Sequence, residues 1–369
     1  MNKKVYVGMS GGVDSSLAAA LLVEQGYDVT GVYMKNWTAD LPGMKCPWAD
    51  DLADAKRVAV QLGINFKVFD FEKQYKQKVV DYMISEYKKG HTPNPDIMCN
   101  QEVKFKLFLD AALEDGADMI ATGHYAKVVD SSWYMVNGKK EKEANTHHLP
   151  PTTYHLQMAV DKNKDQTYFL YRVSGEAMGR TLFPVGEFTK PQVRKMADER
   201  GLTTAVKKDS QGICFIGQIG IRDFLSLYVD AKPGEIIDKK SGKVLGHHDG
   251  AIFYTFGQRH GMDLGGGMPY YVVGKDMDKN EVYVTTDLND DTLWKKIINL
   301  TDLHWINVTP KDGKYQIRVR HRAPLIEASL EFVDCGVILN LDHPERAIAP
   351  GQSVVIYDGD VCLGGGIII

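Results

Sequence analysis

Near its amino terminus the chain reads Gly8-Met9-Ser10-Gly11-Gly12-Val13-Asp14-Ser15-Ser16, between an apolar β-type run at 5–7 and a helical pattern from Leu17 that Gly26 closes. A strand, a glycine turn and a helix start in that order suit an anion such as phosphate. The glycines admit close approach, and the first N–H groups of the helix and the Ser10, Ser15 and Ser16 hydroxyls donate hydrogen bonds. Asp14 sets this turn apart. A carboxylate beside a phosphate is repelled unless it caps the helix or helps hold a cation, which brings Mg²⁺ into the reading. The turn has neither the GK[ST] ending nor the GxGxxG spacing of the common nucleotide loops.

Two cysteines are candidates for thiol chemistry. Cys99 follows His91-Thr92-Pro93-Asn94-Pro95-Asp96-Ile97-Met98, just ahead of a helix expected from Glu102, with Lys104 and Lys106 nearby. Helix starts and lysines favour the reactive thiolate; an inert packed thiol is the competing reading. Cys214 lies in Gly212-Ile213-Cys214-Phe215-Ile216-Gly217, with Lys207 and Lys208 upstream. The two are 214 − 99 = 115 residues apart, and spacing does not say whether they meet.

The elements that must position these residues follow from periodicity. Alternating strand and helix patterns run from Lys4 to His124: strands at 5–9, 29–34, 64–70 and 119–123, helices at 16–25, 50–62, 75–88 and 102–114. This predicts an α/β fold with a doubly wound parallel sheet, whose ligands sit at the strand carboxyl ends. Met34 and Gly123 fall there and are candidate adenine or ribose neighbours, or simply a core methionine and a turn glycine. Thr189-Lys190-Pro191 opens an amphipathic helix that ends at Gly201. After Lys232-Pro233-Gly234, short β-type runs at 243–245, 251–256, 270–273 and 281–285 predict a small β-rich module, and the rest reads as a compact all-β domain. The expected boundaries are 1–205, 206–287 and 288–369. In the last domain Tyr315 to Arg322 alternates, which places Arg318, Arg320 and Arg322 on one strand face, suited to phosphate. The polar stretch 130–151, with His147-His148, reads as a solvated loop.

Composition narrows the class. At 369 residues, 44% hydrophobic and 25% charged, this is the profile of a soluble globular protein. No apolar run approaches the roughly 20 residues that span a bilayer, and the first residues lead into a strand rather than a signal peptide, so a cytoplasmic location is expected, away from any membrane. Five cysteines without a CxxC pair indicate neither a disulfide scaffold nor zinc, and no protein-only metal site is expected. A net charge of −4 argues against indiscriminate nucleic-acid binding but permits a local basic face.

The glycine turn resembles the SGGxDSS loop of ATP pyrophosphatases, which split ATP between its α and β phosphates. Together with Asn94-Pro95-Asp96-Ile97-Met98-Cys99-Asn100, Lys164-Asp165-Gln166, the Cys214 run and the arginine strand, the whole chain resembles the tRNA-specific 2-thiouridylase family. One departure is the polar stretch between His124 and Asp161, longer than the family's usual linker. The resemblance implies an adenylating domain, a small central domain and a β-barrel that holds tRNA. It implies ATP-dependent replacement of the C2 oxygen of the wobble uridine by sulfur, in tRNAs for Lys, Glu and Gln. By the same resemblance Gly8, Met9, Ser10, Gly11, Gly12, Val13, Asp14, Ser15, Met34 and Gly123 bind ATP with Mg²⁺. Cys99 is the nucleophile, Cys214 carries a persulfide from a cysteine desulfurase or sulfur-relay protein, and the two form a transient disulfide. Asp96 is an acid or base, and Asn94, Pro95 and Asp96 face the target base. His124, Lys164, Asp165, Gln166, Arg320, His321 and Gln352 contact tRNA. Two rivals use the same loop: an amide ligase that needs neither cysteine, and a tRNA-binding scaffold that forms no AMP.

Overall fold

The computed structural model describes residues 2–40, 46, 48–130, 153–208, 220–230, 232–262, 264–265 and 267–369. Cys214 and the 131–152 stretch with His147-His148 lie outside them.

The amino-terminal half begins with β1 (Lys4–Gly8), α1 (Val13–Glu24), β2 (Asp28–Lys35), α2 (Trp48–Leu62) and β3 (Asn65–Asp70), followed later by β4 (Met119–Thr122), β5 (Ala126–Asp130), β6 (Tyr154–Met158) and β7 (Thr181–Leu182). Five of these strands form a parallel sheet in the order β3-β2-β1-β4-β7. Central β1 is covered on both faces, which is why Val5, Tyr6 and Val7 form an unbroken apolar run rather than an alternating one. On one face α1 packs with Val193 and Ala197 of the helix Lys190–Glu199; its alanines let it lie close to the sheet. On the other face lie two long helices, 72–88 and 95–114, whose Tyr75, Val79, Met83, Val103 and Phe108 share one core.

The middle of the chain forms a four-stranded sheet ordered β10-β11-β8-β9, built from β8 (Gly234–Asp238), β9 (Val244–His248), β10 (Tyr271–Asp276) and β11 (Glu281–Thr285). Part of the strand expected at 251–256 is instead a single 3₁₀ turn, Ala251–Phe253.

The remainder contributes β12 (Trp294–Trp305), β13 (Gly313–Arg318), β14 (Ile326–Val333), β15 (Gly336–Arg346), β16 (Ser353–Asp358) and β17 (Val361–Ile368). They run β12-β15-β14-β13-β16-β17, and β17 pairs back onto β12, so six strands close a barrel. Outside β17 the wall is extended by β6 and β5, with Val361 opposite Gln157 and Cys362 opposite Leu156. No periodicity in the sequence reveals that two strands from the first half belong to the barrel sheet. Among the described residues no helix is long and apolar enough to cross a membrane.

The short helix Thr167–Leu170 and its flanks tie barrel to sheet domain. On one side Asn100 Nδ2 donates to Phe169 O at 3.0 Å, and on the other Tyr168 OH donates to Ser353 O at 2.9 Å. Arg172 bridges both, with Nε donating to Gln101 Oε1 at 2.6 Å and Nη2 to Asp302 Oδ1 at 3.0 Å.

Candidate active site

The glycine turn lies where the periodicity predicts, between β1 and α1. Gly11 has φ +74°, and a Cβ there would come 2.4 Å from Asp51 O, so neither the backbone angle nor the space admits another residue. Gly123, just past β4, passes so close to α1 that a Cβ would lie 2.5 Å from Ser15 N. Gly12 begins α1 in an extended conformation with no described side chain capping it, which leaves the positive helix end to a ligand. Ser15 Oγ accepts from Ser10 N at 3.2 Å and donates to Gly12 O at 3.2 Å, so the hydroxyl is held inside the turn.

Gly8, Ser10, Gly12, Val13, Asp14, Ser15, Met34 and Gly123 line one cleft of about 320 Å³. Met9 does not, being a core residue at 1% exposure, and Gly11 is turned against α2. The other walls supply cations: Lys104 from the helix 95–114, Lys164, Lys208, and Arg322 from the barrel. Arg322 has φ +62°, an uncommon angle for a side-chain-bearing residue. In a chain of net charge −4, four cations around one cleft suit a polyanion.

Asp14 neither caps α1 nor stands alone. Lys190 Nζ donates to both its oxygens, at 2.7 and 2.8 Å, and Tyr125 OH donates to Oδ1 at 2.8 Å. Sequence reasoning reads Lys190 only as a helix opener. The signal available was a lysine in the first turn of a Thr-capped helix, where the macrodipole disfavours a cation.

His124 lines the same cleft, wedged between Phe105 and Phe183. Burial, with Lys104 beside it, holds the imidazole well below its usual pKa. Lys104 Nζ, which can only donate, lies 3.5 Å from Nε2, so the ring proton belongs on Nδ1, 2.7 Å from Thr122 Oγ1.

Lys164 and Gln166 line the cleft, and Gln166 Oε1 accepts from Tyr125 N at 2.9 Å. Asp165, expected to contact tRNA, is buried instead. It accepts from Ala159 N at 3.0 Å, Thr167 Oγ1 at 2.7 Å and Arg318 Nη1 at 2.9 Å, leaving its carboxylate no outward face. Arg318 is therefore buried too, and the expected three-arginine strand face does not form: β13 ends at Arg318 and the chain turns away. Arg320 stays exposed, donating to Glu345 Oε1 at 2.8 Å and Arg346 O at 3.0 Å beside a groove that also reaches His321 and Arg322. The His321 ring sits 4.4 Å from that of Phe169 and lines the cleft. Burial first, then Arg322, Arg318 and Lys164, push it down to about 4, so it is neutral at physiological pH.

The helix bearing Cys99 starts at Pro95, 102 − 95 = 7 residues before the expected Glu102, because Asn94 Oδ1 accepts from the Asp96 and Ile97 N–H groups at 3.1 and 3.3 Å. Pro95 suits the first helical position. This corrects the placement of Cys99. It lies one turn inside the helix, at the head of a π-helical stretch Cys99–Leu107, and is 1% exposed. Pro95 is buried, while Asp96 is partly exposed. Pro350 and Gly351, just before Gln352, adjoin the same loop: a Cβ on Gly351 would meet His91 Cβ at 2.6 Å, and Thr92 N donates to Pro350 O at 2.9 Å. Lys208, the last described residue before the Cys214 segment, is in the cleft wall. Among the described residues no three His, Cys, Asp or Glu side chains cluster to hold a metal.

Three family models match in succession: a tRNA methyl transferase HUP domain over residues 3–218, a tRNA methyl transferase PRC-barrel domain over 222–286 and an aminomethyltransferase beta-barrel domain over 295–368. Among curated relatives, the tRNA-specific 2-thiouridylase MnmA of Bacillus cytotoxicus is 46% identical over 368 residues, covering 98% of this chain and 93% of that protein. The MnmA of Bacillus anthracis gives the same identity and coverage. Solved structures match loosely. A 4-thiouridine synthetase–RNA complex with bound ATP has TM-score 0.38 and 16% identity over 61% of this chain and 50% of that one. The NMN synthetase of Francisella tularensis has TM-score 0.33 and 15% identity over 59% and 68%.

Proposed function

The chain belongs to the tRNA-specific 2-thiouridylase family, and from that premise we propose that it uses ATP to replace the C2 oxygen of the wobble uridine by sulfur in tRNAs for Lys, Glu and Gln. The observation that carries the reading is the cleft itself, where the glycine turn, four cations and a barrel loop surround space for a polyanion.

A uridine C2 oxygen is a very poor leaving group. In this reading it attacks the α-phosphorus of ATP, pyrophosphate departs, and the oxygen becomes part of AMP. Ser10 and the α1 N–H groups stabilise the charge on the departing phosphates, with Ser15 holding the turn in shape. Asp14 is the carboxylate in the cleft wall that would hold Mg²⁺, in exchange for Lys190 Nζ, and the ion when bound would neutralise phosphate charge. The base must leave its stack to be reached, and in this reading Asn94, Pro95 and Asp96, which are not part of the cleft wall, face it, Asp96 moving the proton. Asn94 contributes chiefly by fixing the helix start, since its oxygen is engaged as the cap.

Sulfur then adds to C2 and AMP leaves with the oxygen. The terminal sulfur of a Cys214 persulfide, loaded by a cysteine desulfurase or relay protein, adds directly. Cys99 thiolate attacks the inner sulfur, the S–S bond breaks, and a Cys99–Cys214 disulfide forms; alternatively Cys99 first frees hydrosulfide, which attacks. Cys99 is 1% exposed, so either route requires the thiol to become accessible to the persulfide. In this reading Lys164, Gln166, His124, Arg320, His321 and Gln352 contact tRNA.

The test is nucleoside analysis of wobble-uridine tRNA after incubation with protein, ATP, Mg²⁺ and a sulfide source. The expected outcome is 2-thiouridine with wild type and its loss in Cys99→Ser, with Cys214→Ser partly rescued by free sulfide. AMP without a thionucleoside would overturn the substrate, and full activity in both variants would overturn the thiol chemistry.

A further inference from the structure

Lys190 breaks two local rules at once. It stands in the first turn of the helix Lys190–Glu199, at the positive end of the macrodipole, and only 8% of it is exposed. A buried cation in that position persists only if it is compensated. The compensation has two parts. Asp161 Oδ2 accepts from the Lys190 backbone N–H at 2.9 Å, and Asp14 receives Nζ on both oxygens at 2.7 and 2.8 Å. The ammonium also lies 5.7 Å from the Tyr125 ring centroid, and the Tyr125 hydroxyl donates to the same carboxylate. Thr189 and Gln192 form a reciprocal cap that fixes the start of the helix.

Asp14 faces the cleft and Lys190 sits behind it, outside the cleft lining. The carboxylate at the mouth of α1 would repel any phosphate that the helix start attracts. With Lys190 bound across both oxygens, its charge is cancelled from the rear. We propose that Lys190 is a positioning residue, a built-in counter-cation that makes the loop able to accept a nucleotide polyphosphate before any divalent ion arrives and that competes with that ion for Asp14. The inference rests on the reading of the cleft as a nucleotide site. It adds a role for a residue that touches no substrate: with Lys190 present, nucleotide binding does not depend strictly on a metal, and without it that dependence becomes steep.

The test is calorimetric titration of the full chain with ATP, in the absence of tRNA, once in EDTA and once in excess Mg²⁺. Wild type is expected to bind in both. Lys190→Met is expected to lose at least about tenfold in affinity in EDTA and to recover most of it in Mg²⁺, with Lys190→Arg close to wild type. Lys190→Met combined with Asp14→Asn is expected to regain affinity in EDTA, since no bare carboxylate remains. Asp14→Asn alone removes both the carboxylate that opposes phosphate and the group for which Lys190 and Mg²⁺ compete, and is expected to lose the gain in affinity that Mg²⁺ gives wild type. Additive effects of the two substitutions, or unchanged EDTA affinity in Lys190→Met, would overturn the inference while leaving the nucleotide site standing. Absence of ATP binding by wild type in both buffers would overturn the nucleotide reading, and the inference with it.

Discussion

Asp165 and Arg318 lie 318 − 165 = 153 residues apart in the chain, yet their side chains meet at 2.9 Å with exposures of 0% and 8%. Such a pair costs little while intact, because each charge answers the other's lost hydration, and much when halved. Arg318→Met should therefore destabilise the protein by about 3–5 kcal/mol, and adding Asp165→Asn should return part of the loss; chemical denaturation of the two variants measures both. Equal stability of the single and double variants would mean that the carboxylate finds water in the single one. The pair also marks a limit of pattern reading. Alternation assigned Arg318 to the same outward face as Arg320, and locally that was reasonable. Nothing within ten residues of Arg318 announces a buried acid, and nothing near Asp165 announces a buried base. By contrast the tight placement of Gly11 and Gly123 was legible because their constraint is local: a turn, and a strand end beside a helix start.

At the scale of elements the parallel sheet was readable, since a strand covered on both faces must be apolar throughout and a helix between parallel strands leaves a 3.6-residue trace. What failed was a boundary. The helix carrying Cys99 begins at Pro95 because Asn94 caps it, a signal present in the sequence but outweighed by the two prolines, which suggested an extended loop. The consequence is functional, for it moves the thiol from a helix mouth into a core wall. The contact between the end of β4 and the start of α1 is equally tight. Gly123→Ala should force Ser15 away from its place and weaken ATP binding by at least about tenfold, with little change in the far-UV circular dichroism. Unaltered ATP affinity would show that the loop relaxes without cost.

Across the whole molecule the three modules meet around a cavity of about 440 Å³ lined by Gly90 to Thr92, by Val272, Lys275 and Met277, and by Ala349 and Pro350. Lys275 donates to Tyr254 O at 2.9 Å, and burial pulls its ammonium down to about 8 from an ordinary 10.5. Between those two values the unfolded chain binds the proton and the folded one releases it, so this residue's contribution makes stability rise with pH from about 8 to about 10.5. Lys275→Met should raise the melting temperature near neutral pH and lose that rise, as thermal melts of both proteins across the range would show; parallel curves would contradict it. The order of the modules could be read from composition, but their joints could not, because they consist of single residues such as Tyr168, Arg172 and Gly351 meeting partners far along the chain. The joint made by β6 against β17 also has a temporal side. Synthesis releases Met158 from the ribosome 361 − 158 = 203 residues before Val361 emerges, an interval of roughly 10–40 s at ordinary elongation rates. Throughout it β6 presents an open hydrogen-bonding edge whose native neighbour does not yet exist, the kind of edge that recruits other chains. The nascent first half is thus most vulnerable to aggregation during the very interval in which it already looks like a finished domain, and release of a prematurely terminated chain would make that exposure permanent.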